Sequence, residues 1–260
     1  MGGVRPATLV SAGWLVLGLV GCVPEERPPG PAPSASGPRL AEGLAQEPAR
    51  SFRTVPRDHA TSHTLLDEPF EDRFERPELG PHYHPTAAAW HLDGGRLCGE
   101  GALNRPVWLK HRLPRNVRVS FDAVSESKAG DIKVEIFGDG RSFAQSSSYN
   151  DASGYVLIYG GWNNSLHVLA RRNEHGDDRL ALRTLADGLA RARPVTAGKA
   201  YRFTIERTDG KTLRWLVDGV EIHTLADREP LWGPRHEHFA FNTWQARLCF
   251  DNLKVVPLGS

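Results

Sequence analysis

Two neighbouring stretches hold the densest set of groups able to grip a polar ligand. Gly160-Gly161-Trp162-Asn163-Asn164-Ser165 places an indole beside two amides, and Arg171-Arg172-Asn173-Glu174-His175-Gly176-Asp177-Asp178-Arg179 follows with charges and a histidine. A ring of C–H bonds stacks on an aromatic face while planar amides and charged groups read hydroxyls, so Trp162, Asn163, Asn164, Arg171, Glu174 and His175 form one candidate ligand face, with Trp244 as a second stacking platform. A plainer reading also fits these residues. Gly-Gly and Asn-Asn make a tight turn, Trp162 is its packing lid, Arg171 to Arg179 is a solvated hairpin, and Trp244 belongs to the core.

Acid–base chemistry needs paired carboxylates, and Asp131-Ile132-Lys133-Val134-Glu135 is the nearest approach to a pair on one strand. Asp131 and Glu135 share a face at i and i+4. The lysine between them is expected to depress both carboxyl pKa values, which opposes a general acid, and a salt-bridged strand face explains the three residues equally well. The histidines between Asp58 and His91, with His236 and His238, form neither His-Glu-x-x-His nor a metal triad.

These groups need a scaffold, and the composition of the 260 residues permits one: 40% hydrophobic and 24% charged is ordinary for a globular chain. Lys+Arg 32 against Asp+Glu 31 leaves a formal charge of +1, so no global field exists to hold nucleic acid or an anionic surface. The N-terminus is an address. Arg5, the apolar run from Ala7 to Val20 and Gly21-Cys22 read as a signal peptide over residues 1–21, too short to span a bilayer comfortably. Leu19-Val20-Gly21-Cys22 resembles the lipobox of bacterial lipoproteins, in which the cysteine is lipidated; the resemblance implies a cell-envelope protein anchored through Cys22, at the outer membrane if the cell is Gram-negative. Residues 22–50 are rich in Pro, Gly, Ala and Ser and read as a disordered tether, and 51–65 as an extended lead-in.

From there on the dominant period is two. Val117, Val119, Phe121 and Ala123 alternate with polar residues, as do Ile132, Val134 and Ile136, then Tyr201, Phe203 and Ile205, then Leu213, Trp215 and Val217. Asp209-Gly210 and Asp218-Gly219 supply hairpin turns for a three-strand meander. Tyr155 to Tyr159, Leu166 to Ala170, Phe239 to Phe241 and Leu248 to Val256 bring the list to at least nine strands, with a bulge expected near Asp251-Asn252, where the apolar phase changes. The expectation is an all-β jelly-roll sandwich of two antiparallel sheets over residues 66–258.

Phe70-Glu71-Asp72, Trp90, Asp93-Gly94-Gly95 with Leu97, Trp108-Leu109-Lys110, Trp215-Leu216-Val217-Asp218-Gly219 and Phe250-Asp251-Asn252-Leu253-Lys254-Val255 together resemble concanavalin A-like lectin/glucanase domains, closest to the 3-keto-glycoside hydrolase type of bacterial envelopes. The resemblance implies that first and last strands are neighbours, which would bring Cys98 near Cys249 for a disulfide; two buried free thiols are the alternative. It further implies a structural calcium near Asp251, though no cofactor is required. Glucanases of this fold carry Glu-x-Asp-x-Glu on one strand, and Lys133 stands where the central acid would be. A module binding glycan, cell-envelope polysaccharide or another polar surface ligand is therefore expected first, a glycoside hydrolase of 3-keto-glycoside or glucan type second and a structural or protein-contact domain third.

Overall fold

The structure is a computed structural model that describes residues 63–146 and 148–259. The chain divides into two units, Met1–Arg53 and Thr54–Ser260, and the described residues belong to the second. The expected signal peptide, Cys22, the 22–50 tether and most of the 51–65 lead-in lie outside them. Among the described residues no helix is long and apolar enough to cross a membrane.

Fifteen strands make up the described part: β1 (Phe70–Asp72), β2 (Tyr83–Pro85), β3 (Trp90–Asp93), β4 (Arg96–Gly99), β5 (Val107–Leu109), β6 (Val117–Ser125), β7 (Ile132–Gly138), β8 (Tyr155–Gly160), β9 (Leu166–Arg171), β10 (Leu180–Arg183), β11 (Ala200–Arg207), β12 (Thr212–Val217), β13 (Val220–Ala226), β14 (His238–Asn242) and β15 (Leu248–Pro257). One sheet runs β13-β12-β11-β6-β15-β4-β3, with β1 also paired to β15; the other runs β10-β9-β8-β7-β14-β5-β2. Every pairing between these strands is antiparallel. The all-β sandwich read from the period-two pattern is the observed fold.

The alternating apolar residues of both sheets meet in one core. Phe121 stacks on Phe203 at 5.0 Å between ring centres, Phe241 on Phe250 at 4.3 Å, and Phe121 meets Phe241 edge-on at 5.2 Å. The first pair are neighbours within one sheet, and the two Phe241 contacts cross the core and hold the sheets in one register. The meander turns form as expected, with Gly210, Asp218 and Gly219 all at positive φ. The phase change in β15 is a bulge: pairing with β6 shifts between Asp251 and Lys254, and Asn252 takes a φ of 50°. Leu248 and Phe250 before it, and Leu253 and Val255 after it, thereby all reach the core.

Cys98 on β4 lies directly opposite Cys249 on β15, and their Sγ atoms are 2.09 Å apart, a disulfide between adjacent strands.

A second, smaller apolar cluster lies on the outer face of the β8–β9 region. Val156, Ile158, Val168 and Ala170 pack there under Ala144, Tyr149 and Ala152 from the long β7–β8 connection. That connection forms a third layer over the sheet, so β7 and β8 are buried on both faces.

Candidate functional site

Where this third layer stops, a cleft of about 420 Å³ opens over the end of β7, and Trp162, Asn163, Glu174, His175 and Trp244 all line it, together with Asn104, Asp131, Lys133, Ser148 and Gln245. Five of the seven expected ligand-face residues are therefore brought together. The other two are not. Asn164 is a brace: its side-chain N–H groups donate to the carbonyls of Val195 (2.7 Å) and Lys128 (3.2 Å), and its Oδ1 accepts the Val195 N–H. Arg171 ties β9 to the β13–β14 connection, donating to Asp227 Oδ2 at 2.9 Å and to the Glu229 carbonyl.

Trp162 owes its place to an uncommon turn. Gly160, Trp162, Asn163 and Asn164 all have positive φ, a left-handed run between β8 and β9. Asparagine tolerates this region; for a bulky residue such as tryptophan it costs on the order of 1–2 kcal/mol, and strain of this kind collects at functional sites. The neighbourhood over-determines the turn. The Gly160 N–H donates to His167 Nδ1, which leaves the His167 Nε2–H to donate to the Arg193 carbonyl; the Ser165 hydroxyl donates to the Trp162 carbonyl and the Asp131 N–H to the Gly160 carbonyl. Gly130 must be a glycine here, since a Cβ would stand 2.6 Å from the Gly160 carbonyl oxygen at a φ of +71°.

Trp162 combines the two readings, lining the cleft while packing as a lid. The ring is half-buried against the second apolar cluster, edge-on to His175 at 5.4 Å and 5.0 Å from the Arg179 guanidinium carbon. Trp244 lines the cleft and is not the core residue of the plainer reading. It follows β14 rather than lying on it, in the turn before β15, and belongs to neither apolar cluster.

The floor of the cleft corrects the salt-bridged strand face. Lys133 is 3% exposed and its ammonium donates to Asn104 Oδ1 (2.7 Å) and Glu174 Oε2 (2.9 Å), not to Asp131 or Glu135. Glu174 Oε1 accepts the Tyr149 N–H at 2.9 Å. Glu135 lies beneath the third layer, outside the cleft, and accepts hydrogen bonds from Tyr149 Oη (2.5 Å), Ser153 Oγ (2.9 Å) and the Gly154 N–H (2.7 Å). The carboxyl pKa values also move opposite to expectation. Burial raises Glu135 to about 7 and also raises Asp131, where desolvation outweighs the attraction of Lys133. Asn242, paired across the ladder with Lys133 and so on the same face, is fully buried, and its Nδ2 has no acceptor among the described residues.

The raised Glu135 couples stability to pH with a definite sign. Between about 4.5, its unfolded value, and about 7, the native state keeps a proton that the unfolded chain has released, so this group's contribution to stability falls as pH rises through that window. His63 and His167, both lowered to about 4 chiefly by burial, act oppositely between 4 and 6.5. Glu135→Gln is expected to remove the first trend, narrowing the stability difference between wild type and variant at pH 5 relative to pH 8 by up to about 3 kcal/mol. Urea titrations at the two pH values measure it; parallel curves would show that Glu135 ionises in the fold without cost.

Among the described residues no group of three or more His, Cys, Asp or Glu side chains is placed to hold a metal ion. Asp251, the expected calcium ligand, accepts the Asn252 N–H and feels the charge of Asp122, which is itself held by Arg202 and the Asn252 side chain.

The cleft residues missed by sequence reading are Asn104, Ser148 and Gln245. They come from three separate connections, and isolated polar residues in loops carry no periodic signal.

No family model matches the chain, and no curated protein matches it. Solved structures do. The Emp47p carbohydrate recognition domain aligns at 12% identity with a TM-score of 0.54, covering 77% of this chain and all of that one. A sialidase aligns at 12% and 0.52, over 74% of this chain and 19% of the sialidase, and a native glycosidic hydrolase at 9% and 0.50, over 75% and 99%. At such identities the common property is the fold, a jelly-roll sandwich of two antiparallel sheets.

Proposed function

We propose that this chain is a cell-envelope lipoprotein, anchored through Cys22, whose sandwich binds glycan in the cleft between Trp162 and Trp244. The observation that carries the reading is convergence: two half-buried indoles from turns 82 residues apart in sequence border one cleft whose other walls include three amides (Asn104, Asn163, Gln245) beside Asp131, Ser148 and His175, and whose floor is an ion pair already satisfied within the protein. Such a site offers stacking faces and hydroxyl readers without a strong net charge. The carbohydrate recognition domain among the structural neighbours supports the same reading, as does the resemblance to envelope domains of the 3-keto-glycoside hydrolase type.

Trp244→Ala tests it. Because Trp244 belongs to neither apolar cluster, thermal unfolding is expected to stay nearly unchanged while affinity for any glycan found on an array falls roughly 10- to 100-fold, the effect of truncating an anchoring aromatic. Unchanged affinity, or no glycan bound by wild type, would move a protein-contact role ahead. The anchor has its own check: Cys22→Ser should shift the protein from membrane to soluble fractions, and unchanged fractionation with no lipid on the wild-type chain would remove it.

A second reading, a glycoside hydrolase, is favoured by one observation. Asp131 opens on the cleft with its carboxyl pKa raised by burial, as a proton donor to a leaving oxygen requires. Asp131→Asn should then abolish hydrolysis while keeping binding.

A further inference from the structure

The formal charge of +1 conceals a local imbalance at the side of the sandwich where β10 and β13, edge strands of the two sheets, approach each other. Two 3-10 turns, Ala186–Gly188 and Ala190–Ala192, fill this side. They carry Leu185 at 78% and Leu189 at 41% exposure, beside Val220 at 36%. Leu185 is held outward in a left-handed conformation, φ 63°, with its N–H bonded to the Ala192 carbonyl at 2.7 Å. An aliphatic residue in that region is strained, and here the strain is not repaid by burial within the fold.

Cations flank these apolar tips, Arg183 before Leu185 and Arg191 and Arg193 after Leu189, with Asp187 the one acid of the segment, between the two leucines. Arg183 and Arg193 are exposed and form no ion pair among the described residues. Arg191 faces Glu221, whose carboxylate already pairs with Arg214 at 3.1 Å, and Asp218 is taken by Lys199 at 3.0 Å. The surface thus presents single protruding leucines flanked by three arginines against one loop acid, and Arg183 and Arg193 are in no ion pair among the described residues. The core of a protein interface is depleted in charge and closely packed, whereas a lipid headgroup layer accepts isolated apolar tips and supplies phosphates between them.

We propose that the Arg183–Arg193 loop docks on an anionic lipid bilayer, with Leu185 and Leu189 entering the headgroup boundary and Arg183 and Arg193 meeting phosphates. The proposal is independent of the glycan reading, since no residue of this loop lines the Trp162–Trp244 cleft. It would hold the sandwich in a fixed orientation against a membrane instead of leaving it free on a tether.

The test uses the full chain carrying Cys22→Ser and reads the loop itself, by amide hydrogen exchange over residues 184–192, so that binding through the N-terminus does not count. Vesicles of phosphatidylglycerol with phosphatidylethanolamine are expected to protect these amides and phosphatidylcholine vesicles are not. Protection should fall as salt rises toward 1 M, where screening acts within about 3 Å. Arg183→Glu/Arg193→Glu is expected to weaken binding at least roughly 30-fold, from about 1 kcal/mol per arginine near an anionic surface. Leu185→Ser/Leu189→Ser should abolish loop protection on the same vesicles. Equal protection on phosphatidylcholine, no protection on either, or protection that appears without vesicles as protein concentration rises would overturn the proposal, the last assigning the face to a protein contact.

Discussion

Removing the Cys98–Cys249 disulfide, as Cys98→Ala/Cys249→Ala, is expected to destabilise the domain by on the order of 5 kcal/mol, the chain-entropy value for so long a loop. The bond spans 151 residues of sequence, nearly the whole sandwich, so the unfolded chain that keeps it is confined to a large ring. In the fold it adds no new architecture, because β4 and β15 are already paired at these residues. Its effect should therefore lie mostly in the unfolded state. A thermal midpoint lower by roughly 10–20 °C, with the native circular dichroism unchanged, is the expected result for a domain of this size. A loss under about 1 kcal/mol would mean that the reduced chain is already compact.

Lys133→Met should be nearly as costly, about 3–5 kcal/mol, because it removes one partner of a buried ion pair and leaves the Glu174 carboxylate without its cation. Asn104 Oδ1 loses its donor as well. The companion variant Lys133→Met/Glu174→Gln keeps an acceptor for the Tyr149 N–H while removing both charges, so it should recover most of the loss. Guanidinium unfolding of the two variants beside wild type measures the difference. If the single variant loses less than about 1 kcal/mol, water reaches Lys133 freely and the floor of the cleft is softer than its 3% exposure indicates.

Much of the scaffold was legible because a half-buried strand writes its geometry into sequence directly. β6, β11 and β12 alternate cleanly, and even the bulge in β15 showed itself as a change of phase between Phe250 and Leu253. The same rule misled at β7. Lys133 and Glu135 alternate with Ile132, Val134 and Ile136 as solvent-facing residues would, yet all are buried. What covers Glu135 is a polar-looking connection whose aromatic over it, Tyr149, gives no periodic sign of packing. Short strands such as β2 and β5 escaped notice for lack of length. Of the ligand face, Trp162, Asn163, Glu174 and His175 were readable by residue type alone, whereas their meeting was not: they leave opposite ends of β9, and the segment after that strand folds back to bring His175 to Trp162. Asn164 has the same composition signal as Asn163 and turned out to be a brace, since residue type does not reveal which way a side chain points in a left-handed turn.

The third layer separates two kinds of evolutionary change. The Phe-rich core between the sheets fixes the sandwich, while the cleft on the opposite face of one sheet is walled by the 160–165 turn, by Glu174 and His175 after β9, and by residues of the β4–β5, β7–β8 and β14–β15 connections. Substitutions of the polar wall residues in these connections alter the cleft without entering the inter-sheet core. A lineage can therefore remodel the cleft by drift in its connections while the strands stay under selection for packing.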